Sequence, residues 1–125
     1  MSMRMWGSTA DRSPGGAPGR LAVISVEPAG RVALLRVVGE LDLSTDEALA
    51  DALTVALALA GSLLVVELAS CAFVGVEPFE AIERAACALH DRGAQLVVRM
   101  PPTSFLLIGA HRPPGHALVI ARPVR

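Results

Sequence analysis

The chain has 125 residues and a formal net charge of -1, from eleven arginines, no lysine and twelve acids. That balance excludes a general affinity for nucleic acid or anionic lipid, which needs a surplus of cations. The length suits one domain, and 53% apolar residues with only 3% aromatics predict a core of Ala, Leu, Val and Ile.

Residues 1–20 are rich in Gly, Pro and Ser and lack a hydrophobic period, so a flexible N-terminal tail is expected there, with Trp6 inside it. No charged start followed by an apolar stretch marks a secretion signal. Order is expected from residue 21. The run LAVISVE (21–27), the turn PAGR (28–31) and the run VALLRVVG (32–39) read as a β-hairpin. ELDL (40–43) leads to Ser44, with Glu47 three residues later, the spacing of a capping box, and predicts a helix over residues 45–60. Asp46 and Glu47 suit the positive end of its dipole.

Residues 63–68, LLVVEL, are apolar enough to predict a central strand covered on both faces. The uncharged stretch 52–66 is shorter than the roughly 20 residues a membrane span needs, and it contains the turn pair Gly61-Ser62. From Pro78, taken as the first helical position, a helical period places Phe79, Ile82, Ala86 and Leu89 on one face, and Gly93 ends it. His90 stands near the negative end of that helix. Residues 94–100 read as a strand, 103–109 as a short helix, 111–115 as a loop and 117–121 as a last strand. The order is β-β-α-β-α-β-α-β, an α/β domain over residues 21–125 with a mixed sheet. Cys71 and Cys87, sixteen apart, read as two buried free thiols.

GELDLST (39–45), the strand LVVEL, Phe73 and RGAQLVV (92–98) together resemble STAS domains, the family of the bacterial anti-sigma factor antagonists. The resemblance covers about residues 21–121. It implies helices mainly on one face of the sheet, a cytoplasmic location, no enzymatic activity, no cofactor and a role in protein–protein switching. In the family an antagonist captures an anti-sigma factor, often a serine kinase with a histidine-kinase-like ATPase fold, and so regulates transcription. Phosphorylation of a serine in an Asp-Ser-Ser-Gly motif at the start of the second helix ends that capture. Aligned without gaps from Glu67, the Asp falls on Gly75, the phosphorylated Ser on Val76, the next Ser on Glu77 and the Gly on Pro78. None of the four is kept. Val76 has no oxygen to phosphorylate. Glu77 reads either as a fixed charge imitating phosphoserine or, more plainly, as an acid that only favours the helix start.

The resemblance implies a partner-binding surface of Glu40, Asp42, Ser44 and Thr45 from the loop, with Gly75, Val76, Glu77 and Glu80 from the helix start. Glu40 and Asp42 have no companion nucleophile for acid/base work. Ser44 and Thr45 carry hydroxyls, one of which a helix cap explains. His111 and His116 lack a third ligand at metal-site spacing. A homodimer is compatible with this reading. The alternative is a structural STAS subunit of a larger assembly, such as a lipid-transport ATPase complex.

Overall fold

The computed structural model describes residues 4–9, 21–100 and 118–121. Its first element, β1 (Arg4–Thr9), pairs antiparallel with β2 (Leu21–Ala29), from Arg4↔Val26 to Thr9↔Leu21. The expectation of a structureless tail is therefore corrected for these six residues. RMWGST shows no period, yet it satisfies backbone groups that β2 would otherwise expose along its edge.

Alternation in the next run does what it predicts. Ile24 and Val26 are buried, with Val23 and Glu27 exposed beside them. β2 turns into β3 (Val32–Leu41) as an antiparallel hairpin whose last pair is Ala29↔Val32. The two-residue loop needs a left-handed first residue, and Gly30 supplies it at φ +65°.

After β3 come a 3-10 turn (Leu43–Thr45), α1 (Asp46–Leu59) and β4 (Leu63–Glu67), which lies parallel to β3. β4 is central, between β3 and β6 (Gln95–Arg99), and β7 (Leu118–Ala121) adds parallel to β6. The expectation that both faces of β4 are covered is corrected: Leu64 and Val66 are fully buried, but Leu63, Val65 and Glu67 are half-buried. On that second face Arg99 Nη1 donates to Glu67 Oε1 at 2.9 Å, a cross-strand ion pair between residues in register. Such partly exposed pairs contribute about 0–1 kcal/mol.

A short strand missing from the predicted order, β5 (Cys71–Val74), follows β4. It pairs in parallel with the far end of β3, so β4 and β5 share one edge of β3 in succession. The chain then enters α2 (Val76–Asp91). Both β3–α1–β4 and β4–α2–β6 step in the same direction between parallel strands, and right-handed crossovers place both helices on one face. There α1 and α2 cover a core from Ile24, Leu35, Val37, Leu64, Val66, Leu96 and Val98, closed by Leu49, Phe79, Ile82 and Leu89. Burial of each large apolar side chain contributes roughly 1.5–3 kcal/mol.

α2 ends in a Schellman arrangement. Gly93 takes φ +80°, Gly93 N–H donates to His90 O at 3.0 Å, and Ala94 N–H donates to Leu89 O at 2.8 Å. His90 occupies the last turn of α2, as expected. The Arg92 guanidinium donates to Leu57 O and, at 2.9 Å, to Ala60 O. The end of α2 thus caps the end of α1, which has no basic residue in its own last turn. The short helix and loop expected over residues 103–115, with His111 and His116, lie outside the described residues.

The two cysteines part company. Cys71 is buried, its thiol pushed up to about 12 by loss of solvent, and its Sγ–H donates to Val37 O at 3.6 Å. Cys87 is exposed on α2, which corrects the expectation of two buried thiols.

Two outcomes are expected. A thiol reagent at pH 8 modifies the exposed Cys87 in the folded chain and the buried Cys71 only on unfolding, read by mass spectrometry with and without denaturant. Gly39, at φ +121°, marks the register shift between β3 and β5. Gly39→Ala is expected to cost about 1–3 kcal/mol in urea unfolding, because an L side chain is strained at that backbone angle.

Candidate functional site

Two turns meet at the carboxyl end of the sheet. The first follows β3. Asp42 is extended (φ -142°, ψ -168°) and caps the 3-10 turn: its carboxylate accepts from Ser44 N–H at 3.0 Å and from the Ser44 hydroxyl. In return the Thr45 hydroxyl accepts from Asp42 N–H at 3.1 Å and donates to Asp42 O at 2.8 Å. The capping pair is therefore Asp42–Thr45, two residues upstream of the expected Ser44–Glu47. The 3-10 turn begins earlier than the helical period and draws Thr45 inward, where it is 2% exposed. Thr45 supports the loop from beneath and presents no surface. Helix α1 starts at Asp46 with no side-chain cap of its own.

The second turn joins β5 to α2. Gly75 is its N-cap, at φ -78° and ψ 168°, and offers no side-chain acceptor. Its N–H donates to Leu41 O at 2.9 Å, tying the start of α2 to the end of β3. The helix begins at Val76, two residues before the expected start, so Pro78 is its third residue. Its missing N–H still costs nothing, because the first four amides of a helix have no partner within it. The first helical bond, Phe79 N–H to Gly75 O, is 3.2 Å. Phe79 itself is buried in the core, as its period predicted.

Between the turns runs an open groove lined by Asp42, Leu43, Ser44, Phe73, Gly75, Val76 and Glu77. The structure thus brings together Asp42, Ser44, Gly75, Val76 and Glu77. Glu40 is half-buried in β3 and stands opposite Phe73 in the β3–β5 ladder. Glu80 lies one turn along α2, in an adjoining groove with Asp46, Glu47, Ala50, Glu77, Ala81 and Arg84.

Sequence reasoning missed two residues of the first groove as surface. Leu43 is 66% exposed and Phe73 is 51% exposed, beside Val76 at 65%. Three large apolar side chains in one groove are an unusual surface for a chain with few aromatics. Without β5 in the predicted order, nothing in the residue pattern separated Phe73 from a core position.

The site is an open groove with an apolar lining and few polar groups. Its hydroxyls belong to Ser44, already bonded to Asp42, and to the buried Thr45. Among the described residues no cluster of three or more His, Cys, Asp or Glu is placed to hold a metal. No helix among them is long and apolar enough to cross a membrane.

Thr45→Val removes both sides of its exchange with Asp42. It is expected to cost about 1–2 kcal/mol in denaturant unfolding, whereas Ser44→Ala costs less because its groups reach water.

Comparison with known proteins fits this geometry. Several solved structures share the fold, two of them anti-sigma factor antagonists. An anti-sigma factor antagonist from Mycobacterium paratuberculosis is 26% identical, over 71% of this chain and 79% of that one, with a TM-score of 0.58. The anti-sigma factor antagonist SpoIIAA in its unphosphorylated form is 15% identical, over 78% and 87%, with a TM-score of 0.59, a likeness of fold alone. No curated protein matches the sequence significantly. Residues 24–108 match the family model described as "Mlab, STAS domain". The chain belongs to the STAS domain family, with a mixed α/β sheet carrying its helices on one face.

Proposed function

We propose that the chain is a non-enzymatic protein-binding module that acts as an anti-sigma factor antagonist in the cytoplasm. Its partner is an anti-sigma factor, a serine kinase with a histidine-kinase-like ATPase fold, and capture of that partner regulates transcription. Nucleic-acid binding, membrane insertion and a cofactor play no part in this reading. The observation that carries it is the exposed groove of Leu43, Phe73 and Val76 between the capped turn and the start of α2. An exposed apolar cluster of this kind marks a contact surface. Its position coincides with the partner-binding and phosphorylation site that the family resemblance implies.

Capture by this chain is not ended by phosphate at the usual place. Val76 offers no oxygen, and Glu77 holds one carboxylate where phosphate would bring about -1.5 to -2 charges and three acceptors. Ser44 is the hydroxyl that lines this groove, and it donates to Asp42.

A second reading uses the same groove: a structural subunit of a larger assembly, such as a lipid-transport ATPase complex. The observation in its favour is that the matching family description carries the designation Mlab.

Affinity capture from the native host separates the two. The expected catch is a serine kinase of the ATPase fold, and Val76→Asp is expected to lower its recovery at least tenfold. A transporter ATPase without an anti-sigma factor supports the second reading. Incubated with the captured kinase and ATP, the chain is expected to take up no phosphate; stoichiometric labelling at Ser44 overturns the unswitched version.

A further inference from the structure

Resting on the reading of this groove as a protein-docking site, we infer that its occupant is a basic amphipathic helix. One apolar side chain of that helix seats among Leu43, Phe73 and Val76, and its arginines or lysines lie over the acidic groove beside it. Three observations carry this.

The apolar residues come from three separate pieces of backbone: the 3-10 turn, β5 and the first residue of α2. They are each at least half exposed, and they line one groove. Among the described residues Val23, Val38 and Leu59 are also exposed, at 37–48%, but Leu43, Phe73 and Val76 are the most exposed large apolar side chains and together line one groove, the mark of a contact surface.

The adjoining groove holds Asp46, Glu47, Glu77 and Glu80 against the single guanidinium of Arg84. Formal net charge over the whole chain is only -1, so negative charge is concentrated here. Asp46, Glu47 and Glu77 each lie in the first turn of a helix, where the dipole accounts for them. Glu80 does not; it lies beyond that turn and continues the acidic line away from the apolar seat. Glu77 lines both grooves, so the two surfaces are continuous.

Charge decides between occupants. A second copy of this chain, docked by the same face, would set its carboxylates against these, and like charges across an interface oppose binding. A basic partner is drawn in, with an association rate that falls as salt rises. An apolar groove flanked by charge suits an amphipathic helix, read as anchors three or four residues apart. In this account Val76 does more than lack a hydroxyl. It converts the family's switch position into part of a permanent apolar seat, so occupancy is set by the partner's availability.

The test uses the full chain and two synthetic 16-residue amphipathic helical peptides, one of Leu and Arg, one of Leu and Glu, followed by amide NMR and calorimetry. The Leu/Arg peptide is expected to shift the amides of residues 42–47 and 73–80 and to bind at least tenfold more tightly than the Leu/Glu peptide. Val76→Asp is expected to weaken it about tenfold. Glu77→Gln with Glu80→Gln flattens its salt dependence, and Glu27→Gln on the opposite sheet face leaves it unchanged. Equal binding of both peptides, or shifts centred elsewhere, overturns the inference. Host capture that yields a transporter ATPase defeats the antagonist reading alone; an anti-sigma kinase whose affinity is indifferent to salt and to Glu80 defeats this inference alone.

Discussion

Pairing between β3 and β5 is the constraint on which the site depends. β4 leaves β3 after Arg36, and β5 takes up the same edge from Gly39 to Leu41, so a ten-residue strand has two parallel partners in succession. A register shift between Gly39 and Glu40 allows the change, and Gly39 accommodates it with a backbone angle that side chains avoid. The Gly75 N–H bond to Leu41 O continues this connection into the start of α2. Two segments more than thirty residues apart are thereby held side by side. One carries Leu43, the other Phe73 and Val76.

Surface chemistry follows from how each turn is closed. Asp42 and Thr45 satisfy one another's polar groups, which holds the 3-10 turn firm while leaving Leu43 at its outer side. Gly75 needs no side chain to begin α2, so the helix presents Val76 and Glu77 directly to the groove. The family resemblance implies a serine hydroxyl at this junction. This chain has an isopropyl group followed by a carboxylate. Glu77 can be read as an imitation of phosphate, but its neighbours favour another part. It borders an apolar seat and begins an acidic line that includes Glu80, an arrangement suited to attraction of a basic partner.

Much of this was legible in the residues. Strands with simple alternation, such as residues 23–27, and the helix marked by Phe79, Ile82, Ala86 and Leu89 formed where their periods placed them. Motif resemblance reached the right family. What stayed hidden has physical causes. β5 is four residues long, and a strand that short has too few positions to show a period. β1 is recruited by the open edge of β2, a tertiary effect its own composition does not announce. Two serviceable caps competed in LDLST, and the choice of Asp42 over Ser44 rests on the geometry of the strand end. Cys87 lies in an apolar stretch of sequence, but the helical phase turns it outward. Nothing in the residue pattern marked Leu43 and Phe73 as surface, and the topology exposes them.

The central claim is that β5 pairs with β3 and so builds the groove between the two turns. Amide hydrogen exchange at Gly75, measured residue by residue, tests it most directly. The account predicts strong protection at Gly75, whose N–H is bonded across to β3, beside fast exchange at Val76 and Glu77, the unpartnered first amides of α2. Exchange at Gly75 as fast as at those two neighbours would contradict it, since the bond that ties the start of α2 to the end of β3 would then be absent.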